Sequence, residues 1–92
     1  MLNIKVTPKT RGATLLARAN NQGAWRKVQA YGSIKAAQMQ ADLITIAQQP
    51  DAEAAMQKYI DAMVGAKMRC TAAEAVASLQ ETNAKLEAEL TA

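Results

Sequence analysis

Residues 2–7 alternate without a break: Leu2, Ile4 and Val6 fall on one side of an extended chain, and Asn3, Lys5 and Thr7 on the other. A period of two does not fit a helix and defines a strand with one buried and one wet face. Met1 to Thr7 therefore reads as a strand, and Pro8 as its end, because proline brings no N–H to a ladder. Thr7 to Gly12 continues as a basic loop carrying Lys9 and Arg11.

A single strand is unstable alone, so its partners must come from the residues downstream. Ala13 to Ala19 admits two readings. Its leucines and alanines form helices well, yet it runs directly into Asn20-Asn21-Gln22-Gly23, a strong turn signal. Beyond that turn, Ala24 to Tyr31 carries Trp25, Val28 and Tyr31, as the second arm of a hairpin would. A hairpin accounts for more of these residues than an isolated two-turn helix, and completes a three-stranded antiparallel meander.

Gly32-Ser33 ends the sheet, with Ser33 as N-cap of a helix over Ile34–Gln48. Its apolar face is Ala36, Ala37, Met39, Ala41, Leu43, Ile44 and Ile46, at three- and four-residue steps. Gln49-Pro50-Asp51 stops and restarts the chain. A second helix runs to about Val64, with Ala55, Met56, Tyr59, Ile60 and Met63 as its buried stripe and Gly65 as its C′ residue. Thr71-Ala72-Ala73-Glu74 is a capping box that opens a third helix running to about Leu90. The expected fold class is α+β, a three-stranded antiparallel β-meander followed by three α-helices. Residues 1–92 make a single domain, with 1–32 basic and β-rich and 33–92 helical.

Alanine makes up much of the 50% apolar content, and there is no phenylalanine. The core then rests on Leu2, Ile4, Val6, Leu15, Leu16, Trp25, Val28, Leu43, Ile44, Ile46, Tyr59, Ile60 and the methionines, chiefly Met39, Met56 and Met63. Such a core is thin, which gives self-association a reason to exist.

Histidine is absent, which removes the commonest general acid–base group, the commonest metal ligand and every Ser-His or Cys-His pair. Gly12, Gly23, Gly32 and Gly65 are isolated and build no phosphate loop. Enzymatic activity, a metal site and a cofactor are therefore not expected. The lone Cys70 fits a reducing compartment and reads as a small apolar residue beside a helix start. With no apolar run of membrane-spanning length and no signal-peptide pattern, the chain reads as cytoplasmic and without membrane contact.

Two features point to binding. Residues 1–35 carry Lys5, Lys9, Arg11, Arg18, Arg26, Lys27 and Lys35 and no acid, leaving four cations and all eight acids to residues 36–92. The halves are thus +7 and −4 within a net charge of +3. The expected partner-binding set is Lys5, Lys9, Arg11, Arg18, Trp25, Arg26, Lys27 and Tyr31, on the sheet face that no helix covers. Cations interleaved with an aromatic suit an acidic patch on a protein first, and a nucleic acid second. Arg26 and Lys27 are adjacent and must point to opposite faces, and the face of Trp25 stays open at this level.

The second feature is a heptad stripe in the last helix. Ala72, Val76, Leu79, Asn83, Leu86 and Leu90 follow a 4-3-4-3-4 spacing, with Asn83 at an a position. Val76, Leu79, Asn83, Leu86 and Leu90 are either a homodimer seam or a stripe packed on the second helix, which would leave Asn83 near the surface. The functional expectation is a small non-enzymatic interaction protein, in character like the phage-type accessory proteins that inhibit a host nucleic-acid-handling complex. A dimeric DNA- or RNA-binding regulator and a small structural or assembly subunit are the alternatives.

Overall fold

The structure is a computed structural model and describes residues 1–62 and 71–91. Three strands, β1 (Leu2–Lys9), β2 (Gly12–Ala19) and β3 (Gln22–Tyr31), precede three helices, α1 (Ile34–Ala47), α2 (Ala52–Ala62) and α3 (Ala72–Thr91). The strands form one antiparallel sheet in the order β1-β2-β3. The molecule is an α+β fold, as its patterning predicts. Residues 13–19 are strand.

Both hairpins turn through two residues, by different devices. Asn20 and Asn21 take φ of 53° and 58°, as a type I′ turn requires of both central residues. The Asn3 carboxamide oxygen steadies that turn by accepting from the Asn21 N–H at 2.6 Å. The first hairpin turns through Thr10 and Arg11 and places its left-handed residue at Gly12, φ 98°.

β1 continues through Pro8 to Lys9, two residues past the expected end. Register explains why. Met1 bonds to Asn20 through its carbonyl, and Leu2 bonds to a side chain outside the sheet, so even-numbered residues of β1 point their backbone groups away from β2. The missing N–H of Pro8 therefore falls on the free edge and costs no ladder bond. At the other end of that edge, Gln48 stands in for a fourth strand. Its Oε1 accepts from the Leu2 N–H at 2.6 Å and its Nε2 donates to the Leu2 carbonyl at 3.0 Å.

Leu2, Leu15, Ala41 and Ile44 form the core between the sheet and the helices, with Ile4, Val6, Tyr31, Leu86 and Leu90 packed around them. A second cluster joins the helices through Ala52, Met56, Ala72, Ala75 and Val76, flanked by Leu43, Ile46, Ile60 and Leu79. Alanine is what lets the layers approach: Ala13, Ala17 and Ala37 are almost wholly buried where sheet and helix meet. The result is thin, 34 × 31 × 17 Å. Leu16, Trp25 and Val28 correct the expected core. Leu16 lies on the other side of the sheet from Leu15, Trp25 is half-buried, and Val28 is 37% exposed.

The helix starts obey their caps. The Ser33 hydroxyl accepts from the Ala36 N–H at 3.1 Å. Thr71 accepts from the Glu74 N–H at 3.2 Å, and its hydroxyl lies 3.1 Å from the Glu74 carboxylate. In α2, Ala52 and Met56 are buried while Ala55, Tyr59 and Ile60 are half-buried. The expected roles of Met63, Val64, Gly65 and Cys70 lie outside the described residues.

The stripe on α3 is used within the chain. Val76 and Asn83 are buried, Leu79 packs on the inter-helix cluster, and Leu86 and Leu90 pack on the sheet cluster. Asn83 is therefore not near the surface. Its Nδ2 donates to the Ile44 carbonyl at 3.3 Å, while Gln80 Nε2 reaches the Ala47 carbonyl at 3.3 Å. The N–H groups of Gln48 and Gln49 take the carbonyls of Thr45 and Ile46. All four carbonyls that α1 leaves open at its C-terminus are thereby satisfied.

A candidate interaction surface on the uncovered sheet face

The helices cover the side of the sheet that carries Leu2 and Leu15, leaving the opposite side open. Cross-strand register assigns the open side. Asn3 faces Arg18, Lys5 faces Leu16, Thr7 faces Thr14, and Lys9 faces Gly12. On the far strand, Lys27 is opposite Leu16 and Ala30 opposite Thr14. One row across the sheet therefore reads Lys5, Leu16, Lys27, with the two lysines about 10 Å apart at two strand spacings.

Trp25 joins this face. The Arg18 guanidinium carbon lies 4.5 Å from the centre of its ring, and Lys5 Nζ lies 5.1 Å from it. An indole on β3 and a lysine on β1 meet across the strand between them. The negative face of the ring tempers the mutual repulsion of two cations, at about 0.5–1 kcal/mol per contact when exposed. The Arg18 Nε is hidden and makes no hydrogen bond. The hydroxyl oxygens of Thr7 and Thr14, opposed across β1 and β2, are likewise hidden and unpartnered.

Of the expected binding residues, Lys5, Arg18, Trp25 and Lys27 come together, and Lys9 extends their face toward the first turn, where Arg11 sits. Arg26 and Tyr31 do not join them. Arg26 is opposite Ala17 and Tyr31 opposite Ala13, on the helix side. Arg26 Nη1 donates to the Glu89 carbonyl at 3.3 Å, and Tyr31 packs against the core, where burial pushes its hydroxyl pKa above the usual value. The ion pairs among the described residues are Lys85 with Glu81 and the Met1 ammonium with Glu87, so no sheet cation is neutralised by a carboxylate there.

Trp25 and Tyr31 separate because β3 is irregular. Both numbers are odd, and a regular strand would place them together. Between Leu15 and Leu16 of β2 the pairing passes from Gln29 to Lys27, so Val28 is an inserted residue. That single insertion reverses the parity, turning Tyr31 inward and Trp25 outward.

One further feature escapes the sequence patterning. Ile34, Lys35, Gln38 and Met39 with Asp42 and Tyr59 line a groove of about 490 Å³ beside α1 and α2. The Tyr59 hydroxyl is held above its usual pKa, first by burial and then by the negative charge of Asp42. Ile34 falls outside the apolar face predicted for α1 and is 50% exposed, and this misfit was the available signal. Among the described residues, no three Cys, Asp or Glu side chains gather into a metal-binding group, and no helix is long and apolar enough to cross a membrane. Comparison with protein-family models, curated proteins and solved structures finds no match to this chain.

Proposed function

We propose that this chain is a non-enzymatic interaction protein that binds an acidic surface of a partner protein through the open face of its sheet. The observation that carries the reading is the Lys5–Trp25–Arg18 cluster, with Lys27 one row away and, among the described residues, no carboxylate set against any of them. Contact with the indole, whose centre lies 4.5 Å from the guanidinium carbon, restrains Arg18 and lowers the entropy lost when its fork meets a carboxylate. Because that ring already carries Arg18, a nucleobase would have to displace a cation in order to stack. This favours an acidic protein surface over a single-stranded nucleic acid. By covering an acidic surface through which its partner otherwise engages another subunit, such a protein would act as an inhibitor.

The test is capture of partners from a lysate, with and without nuclease, by the wild-type chain and by K5E/R18E. Arg26→Gln serves as a control on the helix side. The expected result is capture that survives nuclease, is lost in K5E/R18E and persists in Arg26→Gln, with circular dichroism unchanged throughout. Capture indifferent to K5E/R18E removes the assignment. Capture abolished by nuclease, together with oligonucleotide binding that weakens steeply with salt, transfers the face to nucleic acid.

A further inference from the structure

The groove beside α1 and α2 is independent of the basic sheet face. Its α1 residues lie apart from Ala37, Ala41 and Ile44, buried positions of that helix, so an occupant would leave the open sheet uncovered. Ile34, Met39 and Tyr59 supply apolar surface. Lys35 and Asp42 are the only charged residues of α1, and both line the groove. They stand seven residues apart, two turns or about 10.5 Å along the axis. Among the described residues neither is in an ion pair, although Gln38 Nε2 donates to the Asp42 carboxylate at 3.0 Å.

We propose that this groove is the self-association surface of the chain and that α1 of a second copy fills it, running antiparallel about a two-fold axis close to Met39. Charge geometry selects this occupant. In an interface between identical surfaces, if residue i meets residue j then j meets i. The midpoint between positions 35 and 42 falls between Gln38 and Met39. A two-fold axis there brings the Lys35 of each copy to the Asp42 of the other, making two ion pairs from one arrangement. A parallel copy would oppose like charges. A uniformly acidic or basic partner would match one end of the groove and be repelled at the other. The open sheet face cannot serve the same purpose, since two copies would bring Lys5, Arg18 and Lys27 against one another.

The experiment uses the full chain in sedimentation velocity and light scattering across the micromolar range. The wild type is expected to dimerise. Lys35→Asp and Asp42→Lys should each raise the dimer dissociation constant by about tenfold or more, since two attractions become two repulsions. Mixing these two variants should restore association. At one end of the mixed dimer the introduced aspartate of one chain meets the introduced lysine of the other, and at the other end the unchanged Asp42 meets the unchanged Lys35. The double variant K35D/D42K should dimerise like the wild type. A wild-type monomer throughout, a dimer unmoved by either reversal, or variants that do not rescue each other would overturn the proposal. Should a charge-reversed chain fail to fold, Met39→Cys in a Cys70→Ser background gives an independent reading. Oxidation should then cross-link two copies across the axis, and failure to cross-link sinks the arrangement.

Discussion

At the scale of single residues, Gly12 and Gly23 look alike in sequence and are held by different constraints. Both have positive φ, 98° and 80°, where a side chain adds strain. At Gly23 that strain is the whole cost, because a Cβ there meets nothing within 4 Å. At Gly12 a Cβ would fall 2.0 Å from the Tyr31 carbonyl oxygen, so the end of β3 would have to move as well. Gly23→Ala should therefore cost about 1 kcal/mol, and Gly12→Ala at least about 3 kcal/mol. Urea unfolding of the two variants checks the order, and equal losses would contradict the close approach at Gly12. Two isolated glycines in a sequence say that turns are near, but not which one touches another strand. Trp25 shows the same limit. Its residue type and its cationic neighbours were legible, while its face depended on one inserted residue, Val28, that no periodicity announces.

At the scale of elements, α3 shows how one pattern serves two architectures. A 4-3-4-3-4 stripe marks a helix face that must be covered, and it says nothing of whether the cover is the same chain or another. Here the cover is α1, α2 and the sheet, and the heptad asparagine closes the end of α1 instead of a dimer seam. The strand pairing was legible because turn residues and alternation agreed. The destination of the stripe was not, because it depends on tertiary packing. Asn83→Ala removes the donor to the Ile44 carbonyl and leaves that group buried and unpaired. The Asn83 Oδ1, however, is already without a partner, so its removal returns part of the loss. The net cost should be about 1–2 kcal/mol, read by thermal or urea unfolding. A stabilised variant would mean that the polar contact costs more than it contributes. Leu79→Lys and Leu86→Lys, natural choices for disrupting a coiled coil, would instead strip apolar cover from the two core clusters and destabilise the monomer, which a lowered urea midpoint would show.

At the scale of the whole molecule, the charge asymmetry of the sequence becomes a spatial one. The cations of residues 1–35 gather largely on and around one thin sheet, and seven of the eight acids lie on helices packed behind it, with Asp51 in the turn before α2. A body only 17 Å through in its shortest dimension then presents a positive side and a less positive one, even though the net charge is just +3. Such a field acts before contact. It orients the protein toward an acidic surface and raises the encounter rate, while contacts formed after docking govern dissociation. Exposed charges are screened beyond about 8 Å at physiological ionic strength. Raising salt should therefore slow association with an acidic partner by about tenfold or more, with a much smaller change in the dissociation rate. Lys9→Gln and Arg11→Gln, near the rim of the face, should reproduce part of that slowing at low salt and leave dissociation nearly unchanged. Arg18→Gln, beside Trp25 at the centre, should act mainly by speeding dissociation. Surface plasmon resonance across a salt series separates the two. If Arg18→Gln alters only the association rate, Arg18 is part of the field and not the anchor of the contact.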